Sequence, residues 1–167
     1  MRNLNRNTIG AMLLAVLALF VLAGCAKEEA AAPTGPTVVA LPKNGDPNEW
    51  QKYADYVVKR NMDGVTNSPY VYFLPAEGSA DFQGQYDAQL DKVKTDITRG
   101  ILEGNMLAFV SPASAKMADL VVAAFAEQQP NTMKGVKVLF IGQAADGERV
   151  KAAVTPSGVN YVFVEAK

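Results

Sequence analysis

Histidine is absent from the 167-residue chain, and Cys25 is its single cysteine. These absences remove Ser-His-Asp and Cys-His nucleophilic catalysis, histidine-ligated zinc and any internal disulfide. Chemistry would fall to carboxylates, lysine, arginine, serine, threonine or tyrosine. An excess of basic charge is also missing. The chain has 16 basic and 17 acidic residues, and without Arg2 and Arg6 the balance is 14 to 17, a formal charge of −3. A mildly acidic domain offers no basic face for a phosphate backbone, which sets nucleic acid aside as a partner. No apolar run reaches the roughly 20 residues that a membrane-spanning helix needs; the longest uncharged one, residues 9–22, falls short.

What is present suits one globular domain. Apolar residues make up 49% of the chain and charged ones 20%, a composition that can bury a core. The first residues show signal-peptide anatomy, with basic Arg2 and Arg6, the apolar stretch 9–22, then small residues. At Leu22-Ala23-Gly24-Cys25 the sequence resembles the lipobox of bacterial lipoproteins. Leu22 fits the branched position, Ala23 and Gly24 the small ones, and Cys25 the acceptor. The resemblance covers the export segment alone, and no family is recognised for the folded part. It implies a diacylglyceryl group on the Cys25 thiol, cleavage between Gly24 and Cys25, and acylation (palmitate) of the new amine. Two or three fatty chains anchor durably where one binds marginally. Ala26 after the cysteine implies, in a Gram-negative host, an outer-membrane location facing the periplasm.

Residues 1–24 thus read as a signal peptide, 25–45 as a lipidated, flexible spacer, and 46–167 as the folded domain. Residues 26–36 are small, polar and proline-bearing and lack the apolar surface to fold alone. Residues 37–41, between Pro36 and Pro42, read equally as a short edge strand or as the docked end of the spacer.

From Asp46 onward, period and punctuation mark the elements. Asp46-Pro47 is a cap followed by proline, with Glu49 in the first turn and Trp50, Tyr53, Ala54, Val57 and Val58 on one stripe; this predicts a helix to about residue 62. Short apolar runs at 70–74, 106–110, 136–141 and 161–164 predict strands. The second and third lack alternation, as strands covered on both faces do. Phe82, Tyr86, Leu90, Val93, Ile97 and Ile101 predict a helix over 82–103, with Lys92–Asp96 and Arg99–Glu103 as solvated i,i+4 pairs. Ser111-Pro112 predicts a helix start running to about residue 129, and a last helix is expected after Asp146-Gly147. The fold class is α/β: a single three-layer domain with a mostly parallel four-stranded sheet (βαβαβαβ), helices on both faces and an extra N-terminal helix. A strand order of 2-1-3-4 is expected, which would place a topological switch between the first and third strands.

In such sheets ligands bind beyond the carboxyl ends of the strands. Three loops are expected to converge there, with Glu77 and Ser79, Ser111 and Ser114, and Gln143 and Asp146 as candidate ligand-end residues. Ser111 and Ser114 read first as caps, having no histidine base. Gly142 and Gly147 are followed by Glu148 and Arg149, so the third loop is not a phosphate-binding P-loop. Asp87 and Asp91, one turn apart, form an acid-base pair only if buried. No catalytic residue, metal site or cofactor is assigned.

Two functions compete on these terms. One is a non-enzymatic, membrane-anchored envelope lipoprotein that binds another protein or envelope component, which requires an exposed apolar patch away from the loop end. The other is a periplasmic small-molecule binder or histidine-free enzyme, which requires one pocket touching Glu77, Ser111, Gln143 and Asp146 together. Oligomeric state is not legible in either.

Overall fold

A computed structural model describes residues 39–167, which form one compact unit. The signal peptide, Gly24, the Cys25 lipidation site, the 26–36 spacer and the first two residues of 37–41 lie outside the described residues.

The elements follow one another as α1 (Pro47–Arg60), β1 (Tyr70–Phe73), α2 (Phe82–Arg99), β2 (Met106–Val110), α3 (Ser114–Phe125), β3 (Lys137–Gly142), α4 (Ala144–Val154), a 3₁₀ turn (Thr155–Ser157) and β4 (Asn160–Glu165). The four strands form one all-parallel sheet. Its order is β1-β2-β3-β4, not 2-1-3-4. No reversal of strand order occurs, so the expected topological switch between the first and third strands does not exist. Each crossover simply steps to the next position, which a right-handed connection does as readily in one direction as in the other.

That order decides what covers each face. Crossovers that all step the same way put all their helices on one side. Accordingly α2, α3 and α4 share a single core with alternate strand residues: Val93, Ile97, Met117, Leu120, Val121, Val150 and Val154 pack with Tyr72, Leu107, Phe109, Val138 and Phe140. The other face is left to whatever precedes β1. There Trp50, Tyr53, Ala54, Val57 and Val58 of α1 pack on Met106, Ala108, Val110, Leu139 and Ile141, joined by Val39 and Leu41. The alternation along each strand is complete, and β2 is buried at all five positions because it faces a layer on both sides. Three layers therefore exist, with helices on both faces.

Most boundaries differ from expectation by a turn or less. Asp46 caps α1, its carboxylate accepting the Asn48 N–H at 2.9 Å. At the far end Lys137 donates from Nζ to the carbonyls of Asn61 (2.7 Å) and Asp63 (2.6 Å), tying the α1–β1 connection to β3. Helix α2 stops at Arg99 rather than at 103, because Gly100 at φ 94° takes a conformation that side-chain-bearing residues resist. Helix α3 begins at Ser114 and ends at Phe125. Ser111 is therefore not its cap; the Ser111 hydroxyl instead accepts the Ala113 N–H at 2.8 Å, closing the turn that leads into the helix. Helix α4 begins at Ala144, so Asp146 and Gly147 stand in its first turn rather than ahead of it.

Residues 39–41 form no strand. They dock beside α1, and the Trp50 indole N–H donates to the Asn44 carbonyl at 2.8 Å, holding the turn that follows. Among the described residues no helix is long and apolar enough to cross a membrane.

Candidate functional site

The carboxyl ends of the strands carry the expected loop residues, and a polar network there joins α3 to α4. Ser114, in the first turn of α3, donates from Oγ to Asp146 Oδ2 at 2.7 Å and accepts the Gln143 N–H at 2.8 Å. The other oxygen of Asp146 takes two bonds from Arg149, from Nε at 3.1 Å and Nη2 at 2.9 Å. Arg149 in turn pairs with Asp119 and donates to the Ala115 carbonyl at 2.6 Å. The hydrogen bond that Arg149 donates to Asp119, helped by those to Asp146, holds the guanidinium above its ordinary pKa against the opposing effect of burial. Small residues make this approach possible. A methyl group at Gly142 would lie 2.5 Å from Ser114 Oγ, and one at Gly147 would lie 2.9 Å from the Phe163 ring.

This arrangement is a staple between two helix N-termini rather than a nucleophile and its base. The Ser114 proton and one lone pair are in use, both Asp146 oxygens are engaged, and both residues are buried. The acid placed in the first turn of α4 also meets the positive end of that helix dipole.

Ser111, Ser114 and Gln143 do come together, around a cavity of about 280 Å³ walled also by Ala76, Trp50, Lys43, Asn44 and Ala166. Glu77 and Ser79 do not join them. Glu77 is exposed, and the Ser79 N–H closes a tight turn onto the Ala76 carbonyl at 2.9 Å. Asp146 does not line the cavity either. The single concavity holding Glu77, Ser111, Gln143 and Asp146 is therefore not formed. Lys43, Asn44 and Trp50 were missed as lining residues because they precede β1. Their one sequence signal is the turn-rich 42–47 stretch, which folds back over the loop end.

The carboxylates of α2 do something other than expected. Lys92–Asp96 pair at 2.7 Å, but Asp96 also accepts from the Tyr72 hydroxyl at 2.9 Å, so this pair reaches inward to β1. Burial alone would raise the Asp96 pKa, yet the bonds from Lys92 and Tyr72 outweigh it and hold it below the ordinary carboxylate value. Burial, with Asp96 beside it, pushes the Tyr72 phenol far above its usual range. Arg99 and Glu103 do not pair, since the helix has ended. Asp87 and Asp91 are both exposed. Among the described residues no cluster of three potential metal ligands occurs.

A second concavity lies along the sheet, away from the loops. It measures about 420 Å³ and runs between α1 and β1, lined by Pro47, Gln51, Ala54, Asp55, Val71, Phe73 and Val110. Its origin is geometric. A helix with side chains is about 10 Å across, whereas four strands at about 4.8 Å spacing span some 14 Å between outer axes. Helix α1 sits over β2 and β3 and residues 39–41 cover the β4 side, where Val39 and Leu41 share a crevice with Val164. Among the described residues nothing covers the β1 side. Val71 is 42% exposed and Phe73 is half-buried, although both point to the α1 face. Of the four exposed large apolar residues among those described, Tyr70 and Val71 are neighbours on β1. Comparison with protein-family models, curated proteins and solved structures finds no match to this chain.

Proposed function

We propose that this chain is an exported lipoprotein, anchored to a membrane by fatty chains on Cys25, whose α/β domain is a non-enzymatic binding module for another envelope protein. In a Gram-negative host it stands on the outer membrane facing the periplasm. The observation that carries the binding reading is the open strip over β1, where Val71 and Phe73 border an apolar groove that nothing among the described residues fills. At the loop end, by contrast, the acidic and hydroxyl groups are consumed in the Ser114–Asp146–Arg149 staple.

The test is site-specific photocrosslinking in intact host cells. A photoreactive residue at Val71 should yield a discrete protein adduct identifiable by mass spectrometry. The same residue at Leu102, which is 75% exposed but no part of the groove lining, should not. Absence of an adduct from position 71, or identical adducts from both positions, would overturn the binding module. The anchor is tested separately by intact mass of host-extracted protein, since a product without added hydrocarbon or with its leader attached removes it.

A further inference from the structure

We infer that the partner docks as an extended segment carrying a cationic side chain, added as a fifth strand along the free edge of β1; this rests on the binding role proposed for the same strip. The first observation is the state of the backbone. Among the described residues β1 pairs only with β2, residue for residue from Tyr70↔Leu107 to Phe73↔Val110, without a bulge. The Leu74 N–H continues that ladder onto the Val110 carbonyl. Because successive residues of a strand direct their N–H and C=O to opposite sides, Tyr70 and Tyr72 bond toward β2 while Val71 and Phe73 present theirs outward.

The second observation is the lack of protection on that edge. Natural sheets blunt free edges with charge, proline or a bulge. Within the run Tyr70-Val71-Tyr72-Phe73 there is none of these; Pro69 and Pro75, just outside it, bound the four-residue edge, so the outward amides it offers are those of Val71 and Phe73. At the opposite edge β4 ends in Glu165, which pairs with Lys167, and residues 39–41 lie alongside. The two edges of this sheet are thus treated differently: β4 carries a terminal charge and a segment docked on its α1 face, and Tyr70–Phe73 of β1 carry neither.

The third observation selects the partner's chemistry. A strand laid about 4.8 Å outside β1 places alternate side chains on the α1 face, beside Val71 and Phe73. Among the described residues Asp55 is the single charged side chain lining that groove; Lys59, one turn further along α1, is not part of the lining. Apolar residues at alternate positions with a lysine or arginine among them satisfy this surface. An acidic segment would place like charges together at the groove.

The experiment uses the full lipidated chain in detergent micelles and two synthetic probes, a six-residue alternating valine–lysine peptide and its valine–glutamate counterpart. The readout is residue-resolved amide hydrogen exchange. The lysine peptide at about 1 mM should slow exchange at Val71 and Phe73 by roughly tenfold or more, leaving Tyr70 and Tyr72 unchanged, since only the outward amides gain partners. Asp55→Lys, at an exposed position, should transfer the effect to the glutamate peptide. Val71→Pro removes an outward donor and no bond to β2, so it should abolish protection at Phe73 with little change in melting temperature. Equal protection by both peptides, protection of all four amides, or none with either peptide would overturn the inference. Protection of the same two amides by self-association of the protein alone would overturn it in favour of a second copy. If the Val71 adduct in cells persists while the peptide effect fails, the strand-addition inference falls and the binding module stands; loss of the adduct removes both.

Discussion

The two faces of the sheet are built from the same strands yet differ in almost every physical respect. One carries three helices, and its residues Tyr72, Phe109, Met117 and Phe140 are essentially inaccessible. The other has one helix and the docked segment that leads into it, and leaves Val71 in solvent. The difference arises from chain order and not from composition. Sequential crossovers supply the first face with a helix per connection, while the second receives only what comes before β1. A face covered by default in this way is where a binding surface can exist without any insertion or special motif.

The sharpest way to break that comparison is to cut into each face and compare the losses. Phe109→Ala on the three-helix face removes a fully buried ring stacked on Tyr72 at 5.0 Å between centroids. A loss of about 3–5 kcal/mol is expected, read from the denaturant midpoint, which threatens folding of a domain with ordinary stability. On the α1 face, native-state hydrogen exchange should show α1 amides opening at lower free energy than those of α3, since α1 is held by one layer of side chains and the Lys137 tether. Equal protection of α1 and α3 would mean that the faces are energetically alike despite their coverage.

Next in size is the loop-end staple. Ser114→Ala removes the donor to Asp146 and the acceptor for the Gln143 N–H, leaving a buried carboxylate oxygen and a buried-side amide short of partners. A loss of about 1–3 kcal/mol is expected, measured by thermal or chemical unfolding. In the crosslinking assay the Val71 adduct should survive in this variant. A variant as stable as the parent but unable to form the adduct would move function to the loop end and reverse the assignment of the two regions.

How much of this was legible beforehand follows from the kind of signal each feature carries. Strands and helices were readable because period and turn residues are local: Met106–Val110 is an unbroken apolar run and is buried throughout, as a doubly covered strand should be. Strand order was not, because 1-2-3-4 and 2-1-3-4 use the same elements and the same crossover hand, and differ only in the direction of the first step and the length of the second. The error propagated, since the topological switch that would have concentrated ligand contacts at the loop end depended on it. Ser111 and Asp146 were misread for a smaller reason. Ser-Pro and Asp-Gly are cap and turn signatures, and the structure uses one to close the turn before a helix and the other inside a first turn. The groove had no local signature, because it is a space left by the width of α1.

The Tyr72–Asp96–Lys92 network offers a smaller test on the well-covered face. Asp96 titrates lower in the folded chain than in the unfolded one, so its stabilisation is complete at neutral pH and is lost as the pH falls below about 4, through the folded value. Asp96→Asn should cost about 1 kcal/mol at pH 7 and flatten the acid limb of the stability profile. At the alkaline end, burial, with Glu148 adding to it, raises Tyr161 to about 12. That contribution is intact below pH 10 and declines as the pH rises through the folded value, so Tyr161→Phe should flatten the alkaline limb instead.

The smallest expected effect on stability carries the most weight for function. Val71→Ser replaces a side chain that is already 42% exposed and forms no part of either core. Its unfolding free energy should therefore stay within about 0.5 kcal/mol of the parent, the range of ordinary surface substitutions. If the strip over β1 is a contact surface, the same variant should nevertheless weaken capture of the partner, read with a photoreactive residue placed at Gln51 across the groove. Removing an apolar side chain that only an interface buries changes association without changing the isolated fold, whereas a side chain exposed through incidental undercoverage changes neither. A large loss of stability in Val71→Ser would show that this position already has an intramolecular partner, and the contrast between the two faces would disappear with it.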